Sequence, residues 1–205
     1  MTFISFLFAA CLLAITPGPG LAYVVARTVN GGRQEGLASC LGTSLGGMVH
    51  VLASSLGLSL IIAESAMAFN LLKYIGAAYL VYLGIRILRR DEQLDVTPTN
   101  GSQGCSRAFT EGIVVESLNV KTALFFLAFL PQFVSPNEPL IAQLVLLGCI
   151  CVMLNTLVDI AAVFAAHRLI KSDLARTARA RLLNRLSGVT IIGIGTFLAL
   201  TRRET

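Results

Sequence analysis

Apolar residues fall into six long blocks, and most charged residues lie in the short stretches between them. The blocks are Thr2–Ala26, Gly36–Ile61, Phe69–Leu88, Phe109–Phe133, Leu140–Ala166 and Leu186–Leu200. A bilayer core of about 30 Å takes roughly 20 helical residues, so each block is a candidate crossing. The last reaches that length only by extending back through Leu182. Lipid offers backbone N–H and C=O groups no partners, so the crossings must be helices. The predicted fold is all-α: a polytopic membrane protein with six transmembrane helices in a single domain over residues 1–205.

The polar stretches predict an orientation. Loop one carries Arg27 and Arg33; loop three carries Arg89, Arg90 and Arg107. Loop five carries Arg168, Lys171, Arg176, Arg179, Arg181 and Arg185. Loops two and four carry only Glu64 and Glu138. Basic loops stay on the cytoplasmic side, so the odd loops are expected there and both termini outward. Arg202 and Arg203 oppose this assignment, and loop five outweighs them by count. The stretch Asp91–Ser106, DEQLDVTPTNGSQGCS, is polar and turn-rich and reads as a linker. It divides the chain into halves 1–90 and 107–205, with three spans each. An odd number of spans per half forces opposite orientations, the inverted-repeat plan of many transporters. No residue-level repeat between the halves is evident, so this inference is architectural.

Composition sharpens the class. Of 205 residues, 55% are hydrophobic and only 13% charged, against about 25% charged in soluble domains. Mean hydropathy is +0.77. The net charge of +5 would suggest nucleic acid in a soluble protein. Here the basic residues flank apolar runs, so the expected environment is the lipid bilayer and not nucleic acid. The first block has no Lys or Arg before it, so a cleaved signal peptide is not expected. The cysteines, Cys11, Cys40, Cys105, Cys149 and Cys151, are odd in number and lack zinc or redox spacing. They read as small apolar fillers, and neither metal nor cofactor is expected.

Block two carries a stripe of small residues, Ala38, Gly42 and Gly46, continued by His50 and Ser54 at i+4 steps, with Thr43 and Gly47 beside it. Gly76 and Gly84 in block three, and Gly188, Gly193 and Gly195 in block six, are similar. Small residues let membrane helices approach closely, so packing is the first reading. His50 reads first as a hydrogen bond between helices, and only second as a proton relay.

Three features carry candidate chemistry. Thr16-Pro17-Gly18-Pro19-Gly20 sits inside block one. Each proline removes a backbone donor and clashes with the preceding turn, so a continuous helix is not expected. A broken backbone at membrane depth needs protein or a water-filled cavity over it. Freed amides at a half-helix N-terminus favour an anion such as a carboxylate. The simpler reading is a proline kink. In block four lie Glu116, Asn119 and Lys121, then Pro131-Gln132. Lys121 is about 14 residues from Arg107, hence roughly 21 Å deep. A cation there marks function unless it forms a structural ion pair with Glu116 or Asp159. Block five holds Asn155 and Asp159, the latter about 12 Å from the end near His167. Pro17 lies about 15 Å from Arg27. All three features thus fall between the cytoplasmic third and the midplane. A carboxylate there is a natural proton carrier. No phosphate loop or nucleophile elbow is present, and no catalytic residues are expected.

These motifs resemble the LysE/RhtB family of bacterial amino-acid exporters. The matching segments are Thr16-Pro-Gly-Pro-Gly20, then Lys73-Tyr-Ile-Gly-Ala-Ala-Tyr-Leu-Val-Tyr-Leu-Gly-Ile-Arg86. Asn119-Val-Lys121 running on through Leu124–Phe133, and Leu186-Ser-Gly188 with the glycine-rich last block, complete the likeness. It covers nearly the whole chain. It implies export of amino acids or close derivatives across the bacterial inner membrane, by exchange with protons. The candidate substrate-binding or coupling residues read from the sequence are Thr16, Pro17, Gly18, Pro19, Gly20, Asn119, Lys121, Asn155 and Asp159. The family pattern in block four reads Asn-Pro-Lys, and here Val120 replaces the proline, which leaves a helix break there open. A membrane enzyme acting on lipid-linked substrates would want a His/Asp/Ser cluster near one face, and the long loops lack one. A non-transporting assembly protein would explain the glycine stripe but not Lys121 and Asp159. The identity of the small-molecule substrate, the coupling ion and any homo-oligomeric state are left open.

Overall fold

Proline and glycine decide where the helices of the first block stop and start. The computed structural model describes residues 3–64, 102–135 and 137–169, with isolated positions between 67 and 85 and between 189 and 196. Helix α1, Phe3–Ile15, ends ahead of a non-helical stretch at 16–18, and α2, Pro19–Glu64, begins on a proline. Proline suits a first helical position because its missing N–H would be unpaired there anyway. The first block is therefore two helices.

Loop one is not an open loop. Residues 27–35 are helical, and α2 turns at a single glycine, Gly32, with φ 79° and ψ −175°. Side chains with a Cβ rarely adopt that backbone, whereas glycine does so freely. The second half of block one and all of block two thus form one kinked element.

The second half begins at helix α3, Cys105–Ser117, two residues inside the expected linker. It ends at Leu118, and α4, Val120–Ala128, follows at a bend of 46°, continuing into a 3-10 turn over Leu130–Phe133. Block four is thus broken without the proline that Val120 replaces. Asn119 supplies the break: its backbone is extended, and its side-chain oxygen accepts the Lys121 N–H at 3.1 Å as an N-cap. Helix α5 spans Leu140–Leu169 without interruption.

Every described element is helical. By length and composition, α2 over Pro19–Gly57 and α5 over Leu140–Ala166 can cross a membrane, as can α3 with α4 if the bent pair is one span. Expectations for blocks three and six, including Gly76, Gly84, Gly188 and Gly195, lie outside the described residues, as do residues 91–101 of the linker.

Helix α2 packs along α3 and α5, and the small-residue stripe is the seam. A Cβ added at Gly42 would collide with the Phe109 carbonyl oxygen; one at Gly46 would come within 2.6 Å of the Ile113 carbonyl oxygen. Gly112 returns the fit, since its Cβ would lie 2.9 Å from the Ser39 carbonyl oxygen. His50 continues the seam with a hydrogen bond of 2.8 Å to the Glu116 carbonyl. Beyond α4, Phe6, Phe125, Phe126, Phe129 and Leu130 form a fully buried core. Phe125 stacks on Phe129 at 4.6 Å, and Phe6 meets Phe133 edge-on at 5.5 Å. All five cysteines are free thiols.

Candidate functional site

The two helix breaks meet at Lys121. The Leu13 carbonyl would normally accept from residue 17, but Pro17 has no N–H. The Lys121 ammonium replaces that donor, bonding the Leu13 oxygen at 3.2 Å and the Thr16 oxygen at 2.8 Å. A cation suits the C-terminus of α1, where carbonyls are left over and the dipole is negative. Gly18 makes room: a Cβ there would lie 3.0 Å from both Cε and Nζ of Lys121. A Gly18→Leu variant should therefore displace the ammonium and unseat the junction. The expected result is a greater loss of flux than of membrane-inserted protein, and wild-type flux at normal abundance would refute it.

Glu116 occupies the other side of the junction. Its carboxylate accepts from Thr122 Oγ1 at 2.7 Å and from Asn119 Nδ2 at 2.9 Å. Gly20 and Gly46 form its slot. A Cβ at Gly20 would collide with the carboxylate, and one at Gly46 would lie 2.9 Å from the Glu116 Cβ. Asp159 enters from α5, where its Oδ2 accepts from Thr43 Oγ1 at 2.9 Å. Lys121, Glu116 and Asp159 are all at least 92% buried. Among the described residues, neither carboxylate forms an ion pair with Lys121. The structural ion pair weighed above as the alternative for Lys121 is absent; its ammonium is spent on helix carbonyls instead.

These groups line one partly open pocket. Of the sequence-predicted residues, Thr16, Gly18, Gly20, Asn119, Lys121, Asn155 and Asp159 line it. Pro17 and Pro19 do not; they act by breaking the helix. The lining also includes Glu116, which the sequence offered only as a possible ion-pair partner of Lys121, Thr43 and Gly47, which it offered only for packing, and Thr122, Ser44 and Thr156, which it did not single out. Helical spacing was the available signal. Asn155, Thr156 and Asp159 share a face of α5, as Thr43, Ser44 and Gly47 do on α2. Among the described residues, no group of three His, Cys, Asp or Glu could hold a metal.

A separate polar clamp lies around the kink of α2. Arg27 donates to Tyr23 OH at 3.0 Å, to Gln103 Oε1 at 3.0 Å and to Glu111 Oε2. Glu35, 2% exposed, accepts from Ser102 Oγ at 2.6 Å and from the Gly104 N–H at 2.8 Å. The end of the expected linker is thus tied to the kink of α2.

Comparison with known proteins gives the family. The family model for LysE type translocators matches residues 11–202. A homoserine/homoserine lactone efflux protein of Salmonella typhimurium is 30% identical over 198 residues, covering 97% of this chain and 96% of the relative. An uncharacterized membrane protein of Vibrio cholerae is 28% identical over 196 residues, covering 96% and 95%. No solved structure matches. Two broken helices meeting at a buried polar cavity, and a family match over nearly the whole length, together make this chain a membrane protein belonging to the LysE type translocator family.

Proposed function

We propose that the protein exports amino acids or close derivatives across the bacterial inner membrane in exchange for protons. The observation that carries this reading is the cavity at the meeting point of two broken helices, holding one buried ammonium and two buried carboxylates with no ion pair between them. Groups so costly to bury are kept at membrane depth where they bind solutes or move protons. In this reading Lys121 and the free backbone around Gly18 hold the substrate carboxylate, and Asp159 carries the proton. The relatives' names point to a small amino-acid-derived cargo. Homoserine and its lactone share an α-ammonium, but only homoserine has a free carboxylate.

The breaks also support an inverted repeat of six spans. Each falls in the first span of its half, after Ile15 and after Ser117, and each places its half-helix ends at the same cavity. With the odd loops cytoplasmic, the clamp at Arg27 and Glu35 lies on the cytoplasmic side. Cysteine tags in Asp91–Ser106 should then resist external labelling in intact cells, whereas tags in 135–138 should react. The reverse pattern would overturn the orientation.

Export itself is tested with purified protein in liposomes loaded with labelled homoserine and other small amino acids. An imposed pH gradient should drive efflux above that of empty liposomes. No flux for any member of the panel would sink the reading.

A further inference from the structure

We propose that Glu116 is the residue that binds the substrate's α-ammonium, and that this group, more than the carboxylate, is what the site recognises. The inference rests on the export reading above. The charged lining of the cavity is unbalanced: Glu116 and Asp159 face a single cation, Lys121. That cation is already committed. Two of its three N–H groups bond the Leu13 and Thr16 oxygens, which leaves at most one for a ligand. The carboxylate pole of a substrate thus meets a partly spent partner.

The ammonium pole meets a better one. Glu116 is held by two neutral donors, Thr122 Oγ1 on one oxygen and Asn119 Nδ2 on the other. These fix its plane but supply no positive charge. Each carboxylate oxygen keeps a further acceptor site. A buried carboxylate with hydrogen bonds but no cation is incomplete, and an incoming ammonium completes it. The slot is shaped for this side chain from both arms of α2, by Gly20 on one and Gly46 on the other. Asp159 is built differently. Its Oδ2 has the Thr43 hydroxyl, and its Oδ1 has no hydrogen-bond partner among the described residues. A less constrained carboxylate suits a proton carrier, whereas a clamped one suits a fixed ligand site.

The ligand class follows. It is a small α-amino acid or an α-amino ester or lactone with an unblocked ammonium; N-acylated derivatives are excluded. The test uses wild-type protein in liposomes with labelled homoserine and three competitors: the unlabelled amino acid, an amino-acid methyl ester and the N-acetyl amino acid. The first two should compete and the third should not. Glu116→Gln keeps the shape and an oxygen for Thr122, and should raise KM about tenfold or more, the scale of one lost charge-assisted hydrogen bond. Protein in the membrane is measured alongside. If Glu116→Gln does not insert, the wild-type competition series decides. Effective competition by the N-acetyl compound, or an unchanged KM in Glu116→Gln, would overturn this assignment while leaving export intact. Absence of wild-type flux would instead overturn the export reading on which it rests.

Discussion

Gly42→Ala is expected to lower the apparent melting temperature of the detergent-purified protein by about 10 °C, the scale of a 3 kcal/mol overpacking cost in a chain of this size. One methyl group suffices because its neighbours cannot yield. The added Cβ would collide with the Phe109 carbonyl oxygen and lie 3.1 Å from the Gly112 Cα, which is backbone on both counts. Small residues bring membrane helices close enough to pack backbone on backbone, and that contact holds the pair together in lipid. The seam also sets the site, because α3 carries Glu116 and α2 carries Thr43 and Gly46. Gly57→Ala is the control on the same helix, since a Cβ there meets nothing within 4 Å among the described residues. Equal melting of the two variants would show that the seam is not tight.

Asp159→Asn should abolish efflux driven by an imposed pH gradient, a fall of at least about tenfold, while the protein still inserts and folds. Asparagine is isosteric, and its side-chain oxygen can still accept from the Thr43 hydroxyl that now bonds Oδ2. What disappears is the exchangeable proton, so substrate–substrate exchange should outlast gradient-driven export. Lys121→Gln provides the contrast. It removes the donor that caps Leu13 and Thr16 and should lower protein abundance as well as flux. Full gradient-driven efflux by Asp159→Asn alone would eliminate Asp159 as the carrier, and Glu116 would be the remaining buried carboxylate of the cavity.

Much of this was legible in the chain. Helices were required by the apolar blocks, because a lipid-facing backbone has no other way to satisfy its polar groups. The break at Pro17 and Pro19 was legible because proline lacks a donor wherever it sits. The stripe of Gly42, Gly46 and His50 was legible because helical spacing places those residues on one face. Other features belong to the tertiary structure alone. Valine at position 120 says nothing about a break, and Asn119 makes one only because its side chain turns back to cap Lys121. For Lys121 the structural alternative to function was an ion pair with Glu116 or Asp159, since opposite charges at depth are expected to find each other. The structure sends it 105 and 108 residues back along the chain, to carbonyls that proline and the end of α1 left without donors. Glu116 could be seen in the sequence as an intramembrane acid, but its slot between Gly20 and Gly46 could not. Local chemistry determines where a helix must stop; which distant group then satisfies the broken end depends on how the helices pack.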